Sequence, residues 1–196
     1  MHQLKNLLLK ASRDSSKAPF LLAIANELGR TTLRELLPNW SDSVEVICML
    51  FDEERRKLVC VSAASVSMKG ATALDKSNVQ FDYGVGIAGR AFKGNEGRLY
   101  LHSEVKNQNR KVPNHYYRLE GEDPHNVLMC LPLRSPKIPE HVFGVLNISS
   151  TDPACPLRDA AEEAGAIPDA KIGNFLDAIN DCVFQSMELL QRARVI

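Results

Sequence analysis

The segment from Gly84 to Ser150 constrains the fold most, because it sets an order of elements that few architectures share. Its pattern predicts a short helix, a short strand, a long polar loop and two apolar strands, in that order: residues 87–93, 98–102, 103–126, 127–133 and 142–148. Gly86 precedes the predicted helix and Gly94 ends it. Pro132 has no N–H to donate, so its strand has an edge or a bulge there. A polar loop of this length within a domain is often functional.

Before this segment the chain begins with helices. Two apolar stripes at helical spacing indicate them: Leu4, Leu7, Leu8 and Ala11, then Phe20, Leu21, Ile24, Ala25 and Leu28. Thr32 and Glu35 have the spacing of a capping box, which predicts a further short helix that starts at Leu33 and stops before Pro38.

An antiparallel hairpin is predicted next. Residues 44–51 are apolar at alternate and intervening positions, which is typical of a central strand covered on both faces. A charged turn leads to a second strand at residues 58–64. Residues 65–78 show weak periodicity and are predicted to be a loop or a short helix. The chain's last element is a helix with one apolar stripe: Ile172, Phe175, Leu176, Ile179, Val183, Met187 and Leu190.

Composition excludes several classes of function. The 196 residues carry 24 basic and 24 acidic side chains, so the formal net charge is zero and neither nucleic acid nor an anionic membrane is an expected partner. The hydrophobic content of 44% is enough for one core. The start of the chain has too short an apolar run for a signal peptide, and we expect a cytoplasmic protein with reduced cysteines. Cys155, in a proline-flanked loop, is expected to be the most exposed thiol.

Motifs with a complete catalytic mechanism are absent from the sequence. Gly84-x-Gly86-x-x-Gly89 matches the dinucleotide fingerprint by letter, but its helix is short and the preceding hairpin is antiparallel. There is no Gly-x-Ser-x-Gly, no P-loop and no His/Cys set with metal-ligand spacing. A redox or metal enzyme remains one hypothesis, and it would require convergence of Cys130 with His102, His115 and His125.

Three stretches, in their order along the chain, resemble the GAF domain, a family of small-molecule sensors. They are Gly86 to Gly94, Leu128 to Leu133, and Phe143 to Ile148. The resemblance implies an α+β fold with a central antiparallel sheet of about six strands, N- and C-terminal helices packed on one face, and a ligand pocket on the other. It also implies dimerisation through the terminal helices. Residues 1–17 would be an N-terminal helical extension, and residues 18–196 the GAF-like domain with its C-terminal helix.

Family members bind cyclic nucleotides, bilins, haem or small metabolites, and this chain departs from three of the known patterns. Bilin-binding members carry a Cys-His pair, and no cysteine of this chain is directly followed by a histidine. Members that reduce free methionine sulfoxide carry reactive cysteines around the glycine segment, and residues 84–102 contain none. Cyclic-GMP-binding members have Asn-Lys where Asn147 is followed by Ile148. The cofactor or ligand is therefore unknown at this stage.

The resemblance leads to a hypothesis of a non-catalytic sensor with its ligand between the sheet and the loop of residues 103–126. Aromatic rings with polar tips suit such a pocket. Its predicted lining is Phe81, Tyr83, Tyr100, His102, Tyr116, Tyr117 and Asn147. The sensor would be a homodimer that signals through a partner protein or an attached output. The alternative is a ligand-free GAF fold that serves as a dimerisation or protein-docking module.

Overall fold

The computed structural model describes residues 2–76, 78–94, 98–101, 127–135, 138–158 and 169–192. Its elements, in chain order, are α1 His2–Ala11, a 3-10 turn Ser15–Lys17, α2 Ala18–Glu35, β1 Val44–Asp52, β2 Lys57–Ser67, β3 Gly70–Ala73, β4 Gln80–Asp82, α3 Gly86–Gly94, β5 Arg98–Leu101, β6 Val127–Ser135, β7 Ile138–Ser150 and α4 Asp169–Arg192.

The strands form one antiparallel sheet in the order β3-β2-β1-β7-β6-β5. β3 pairs with residues 64–67 of β2, and the short β4 pairs with residues 57–59 at the opposite end of β2. At the centre of the sheet, Ile47 of β1 pairs with Asn147 of β7, which in turn pairs with Cys130 of β6. The predicted α+β class and the sheet of about six strands are confirmed.

One face of the sheet, called the helical face below, is covered by α1, α2 and α4. Alternate residues of β1 and β7, including Val46, Leu146 and Ile148, are buried there. Each of these helices is amphipathic and contributes one apolar stripe to this core. The stripe residues are Leu8, Leu9, Ile24, Leu28, Phe175, Ile179 and Val183. The predicted C-terminal helix is confirmed. The boundary after residue 17 stays a prediction, and α1 packs within this same core.

The opposite face, called the second face, carries a smaller core. Ile87, Ala88 and Ala91 of α3 pack there against Met49 and Val145, among other residues. The short helix predicted between Gly86 and Gly94 is therefore present, and it lies on the face that the resemblance reserves for a ligand. The same face also carries the polar residues described in the next section.

Two local predictions are wrong. Residues 65–78 are not a loop or a short helix, because β2 continues to Ser67 and Gly70–Ala73 form β3. The short helix predicted from Leu33 is instead the end of a continuous α2. The Thr32 hydroxyl does not cap a helix start, because it donates to the Leu28 carbonyl oxygen at 2.8 Å within α2.

A polar contact fixes α4 to the sheet. The Arg134 backbone N–H of β6 donates to the Oδ1 of Asn180 at 2.7 Å. Asn180 is buried, so its amide satisfies a strand N–H that would otherwise lack a partner under the helix. This bond sets the position of α4 along β6.

Of the helices that the structure describes, none combines the length and the apolar character needed to span a membrane.

Candidate functional site

The glycines of the segment Gly84–Gly89 meet needs of the backbone. Gly84 and Gly86 have φ values of 77° and 68°, which residues other than glycine rarely adopt. A Cβ on Gly89 would lie 2.6 Å from the Asp82 carbonyl oxygen. The three glycines therefore allow the turn from β4 into α3 and the close approach of the helix to that turn, as the sequence pattern allowed.

Two of the predicted lining residues lie at the end of the second face near the β1–β2 turn. Phe81 is half-buried in β4, opposite Leu58 of β2. Tyr83 follows β4 and is 46% exposed, with its ring edge-on to Phe51 and Phe92 at centroid distances of 6.0 and 5.9 Å. Phe51 and Phe92 stack at 4.6 Å. These rings fill the hairpin end of the second face.

Asn147 lies elsewhere on that face, near the middle of β7. Its neighbours Leu146 and Ile148 are buried in the helical core, so alternation directs Asn147 to the second face. The residue is 7% exposed, and its Nδ2 lies 3.6 Å from the sulfur of Met49. Its Oδ1 is buried and accepts no hydrogen bond from the part of the chain that the structure describes. A buried acceptor without a donor is rare in folded proteins and requires an explanation.

Glu45 lies diagonally across from Asn147, on the same face. It pairs with Ser149 of β7 and Ser65 of β2, two register pairs along from the Ile47–Asn147 pair and therefore on the same face. Glu45 is half-buried, and its Oε2 is enclosed without a hydrogen-bond partner among the described residues. We call these four residues, Ser65, Glu45, Ser149 and Asn147, the polar patch.

Sequence reasoning missed Glu45, although a signal was present. It is the one charged residue in the run Val44–Phe51, which is otherwise apolar. A charge inside a central strand is rare unless the charge has a partner or a function. That position, next to a strand that also carries a buried amide, would have identified the patch.

The remaining predicted residues relate to the patch only in part. Tyr100 pairs with Leu128, which pairs with Ser149, so its backbone position continues the row of Glu45 across the sheet. Nothing further is described of its side chain. His102, Tyr116 and Tyr117 lie outside the described residues. Phe81 and the patch are about 20 Å apart, by strand spacing and rise per residue. The structure thus separates Phe81 and Tyr83 from Asn147.

The cysteines are free thiols, of which Cys48, Cys130 and Cys155 are buried and Cys60 and Cys182 are partly buried. Burial raises the pKa of Cys60 to about 12 and that of Cys182 to about 11. Burial also raises the pKa of Cys48 and of Cys130 well above the ordinary range. The thiolate is the nucleophile, so these groups are poor candidates for catalysis at neutral pH. The expectation that Cys155 is exposed is wrong: it is 1% exposed, because its N–H bonds the Asp152 carbonyl oxygen at 3.2 Å and turns the segment inward.

We therefore expect all five thiols of the folded protein to react slowly with a thiol reagent such as DTNB at neutral pH. The rate should rise with pH, since the thiolate fraction of each raised-pKa group grows as pH approaches that pKa. Unfolding in denaturant should release five equivalents, the number of cysteines in the chain. One fast-reacting equivalent in the native protein would contradict this reading, and mass spectrometry would locate it.

Two crevices lie away from the polar patch. One of about 320 Å³ lies between α1 and the β1–β2 turn, where Arg13 Nη2 is 3.0 Å from Asp52 Oδ2. Asp52 is buried and also accepts the Glu54 N–H at 3.1 Å, so these groups satisfy each other. The other, of about 190 Å³, lies at the edge of β2. Within the described ranges, no group of three or more His, Cys, Asp or Glu residues could hold a metal ion.

Solved structures share this architecture. No protein-family model and no curated protein matches the chain. The GAF domain of a phosphoenolpyruvate-protein phosphotransferase from Coxiella burnetii is similar, with a TM-score of 0.53 and 12% identity over 98% of this chain and 97% of that one. The corresponding Acinetobacter domain has a TM-score of 0.50 and 14% identity, and it covers 93% and 91%. A free methionine-R-sulfoxide reductase from Neisseria meningitidis, solved with its substrate, has a TM-score of 0.50 and 15% identity over 97% and 87%. The resemblance to GAF domains is confirmed at the level of the fold.

Proposed function

We propose that this chain, which has the GAF fold, is a non-catalytic sensory or regulatory domain that binds a small molecule at the polar patch on the second face of its sheet. It would act in the cytoplasm through a partner protein or an attached output. The observation that carries the proposal is the buried Oδ1 of Asn147, which accepts no hydrogen bond from any residue that the structure describes.

The energetics of that atom support a ligand. A buried polar group without a partner costs about 1–3 kcal/mol. The Oε2 of Glu45 adds a second such atom on the same face. Natural sequences break local rules of this kind chiefly at functional sites. A ligand that donates to both oxygens would recover the desolvation cost and favour the folded state.

A binding role is favoured over thiol catalysis because burial raises the pKa of Cys48, Cys60, Cys130 and Cys182, which keeps these four thiols protonated at neutral pH. One similar structure is a free methionine-R-sulfoxide reductase. Residues 84–102 of this chain contain no cysteine. Cys130 has a raised pKa from burial alone, so it is poorly suited to redox chemistry.

One observation favours the ligand-free docking module as second candidate. The stack of Phe51 on Phe92 and the packing of α3 close the hairpin end of the second face. If the polar patch were closed as well, function would move to the terminal helices, through which we expect a homodimer. Sedimentation velocity would test that arrangement, since a monomer at all concentrations would remove the predicted dimer.

Replacing Asn147 by leucine, which has a similar shape, should abolish ligand-induced stabilisation and leave the ligand-free protein as stable or about 1 kcal/mol more stable, since an unsatisfied buried acceptor is removed. The measurement is a thermal-shift screen of nucleotides, amino acids, amines and common metabolites, together with native mass spectrometry for a co-purified ligand. The exposed Asn39→Leu variant is the matched control and should respond like the parent. A ligand that raises the melting temperature of the Asn147→Leu variant fully would place the site elsewhere.

The other predicted lining residues, Tyr100, His102, Tyr116 and Tyr117, stay part of this proposal. Alanine variants of each in the same screen would assign them. Phe81 and Tyr83 should matter less for binding, because they lie at the far end of the face with the aromatic stack.

A further inference from the structure

We propose that the polar patch recognises a primary ammonium group on a small organic ligand. Glu45 supplies the counter-charge and Asn147 a second acceptor. The inference rests on the proposed function and names the class of ligand that the site would take.

The hydrogen-bonding chemistry of Glu45 Oε2 and Asn147 Oδ1 determines which kind of group the ligand must present. A carboxylate oxygen only accepts hydrogen bonds, and so does an amide oxygen. Both atoms are enclosed, neither has a donor within the described ranges, and they belong to diagonal neighbours on one face of adjacent strands. Such neighbours lie within about 8 Å of each other. The group that fits between them is a donor with no acceptor of its own.

The charge of Glu45 narrows the class of ligand further. The negative charge of Glu45 repels an anion and favours a cation. Among the described residues, no lysine or arginine forms an ion pair with Glu45, and no donor reaches its Oε2. The charge is therefore available to a ligand. An ammonium carries three N–H donors and no acceptor, which matches two acceptor oxygens on one face of the sheet and the hydroxyl-bearing residues Ser65 and Ser149 beside them.

An organic cation fits better than a metal ion. Calcium takes six to eight oxygen ligands, and the patch offers one carboxylate. Ile47 and Leu128 flank the polar patch on the same face and belong to, or pack against, the apolar second-face core. Pockets that are mostly apolar with a few placed polar groups bind the body of an organic molecule. A small molecule fits better than a lysine on a partner protein, because Asn147 is 7% exposed and its acceptor is enclosed.

The test compares three probes with the same carbon chain: n-butylammonium chloride, n-butanol and sodium n-butyrate at equal millimolar concentrations and constant ionic strength. Backbone amide shifts in two-dimensional NMR report where each probe binds. We expect the ammonium probe to perturb the amides around Glu45 and Asn147, and the alcohol and the carboxylate to leave them unchanged.

Glu45→Gln keeps the side-chain shape and removes the charge. It should weaken binding of n-butylammonium about tenfold or more. The exposed Glu140→Gln variant on β7 makes the same chemical change away from the patch and should bind as the parent does. Unfolding in denaturant would confirm that both variants are folded.

The outcomes separate this inference from the proposed function. Equal perturbation by the alcohol, unchanged ammonium binding in Glu45→Gln, or no ammonium perturbation at all overturns the inference. The proposed function would then survive only if another ligand class stabilises the parent protein and not the Asn147→Leu variant. If no ligand class does so, both fail.

Discussion

Gly144→Ala is expected to destabilise the protein by about 3 kcal/mol, the upper part of the usual range for overpacking. Gly144 lies in β7, between Leu50 of β1 and Leu133 of β6. A Cβ at this position would clash with the carbonyl oxygen of Met49 and lie 2.9 Å from Leu50 Cδ2. A carbonyl in a central strand cannot rotate away like the end of a side chain, so the strands themselves would have to separate.

Urea unfolding followed by circular dichroism would measure this effect. The midpoint should fall and the slope stay constant, because the surface exposed on unfolding is the same. Gly173→Ala is the matched control, since a Cβ there meets nothing within 4 Å. That change should stabilise α4 by about 1 kcal/mol through helix propensity. The same substitution thus has opposite signs at the two positions, and equal effects would show that the packing at Gly144 is looser than described.

Phe175→Ala should cost about 3–5 kcal/mol, as large-to-small changes at fully buried aromatic positions do. Phe175 is 0% exposed and is among the largest side chains of the helical core. It is part of the stripe by which α4 packs on the sheet, and truncation would leave a cavity that strands β6 and β7 cannot easily fill. Since small domains have total stabilities of about 5–15 kcal/mol, this one change would remove a large share.

The control for this variant lies on the same helix. Gln185 is exposed, so Gln185→Ala should change the free energy of unfolding by less than about 0.5 kcal/mol. Hydrogen exchange would add a spatial readout. Faster exchange in α4 than in β1 of the Phe175→Ala variant would show that the helix detaches before the sheet unfolds. A similar loss of protection from exchange in α4 and in β1 would show that the helix and the sheet unfold as one unit.

The fold could be predicted where residue patterns were long and regular. The run Val44–Phe51 has few arrangements open to it besides a central strand, and the stripe of α4 repeats over several turns. Strands β3 and β4 span four and three residues and are partly exposed, so they show no alternation strong enough to detect. The end of α2 was misassigned because a threonine–glutamate spacing suits both a cap and a helix interior.

The site was predictable only in part, for a different physical reason. Asn147 is predicted from the resemblance alone, and in the structure its amide oxygen is enclosed without a partner among the described residues. The sequence marks Glu45 as an unusual charge in an apolar strand, but its place diagonal to Asn147 follows only from strand register, which pairs it with Ser149. Cys155 was misjudged because proline-flanked loops are usually exposed. Here Asp152 folds the loop back by accepting the Ala154 N–H at 2.8 Å on its Oδ1.

The single layer of the sheet has a mechanical consequence. Asn147 and Leu146 are consecutive residues that belong to opposite faces, so the two faces share one peptide backbone. A shift of β7 at the Asn147 side chain would also move the strands against which the helices pack. Asn180 couples α4 to β6 by a bond of 2.7 Å, which makes that helix follow the sheet instead of sliding over it. A displacement of β7 on the second face would therefore reach the helices of the helical face directly through the backbone of the sheet.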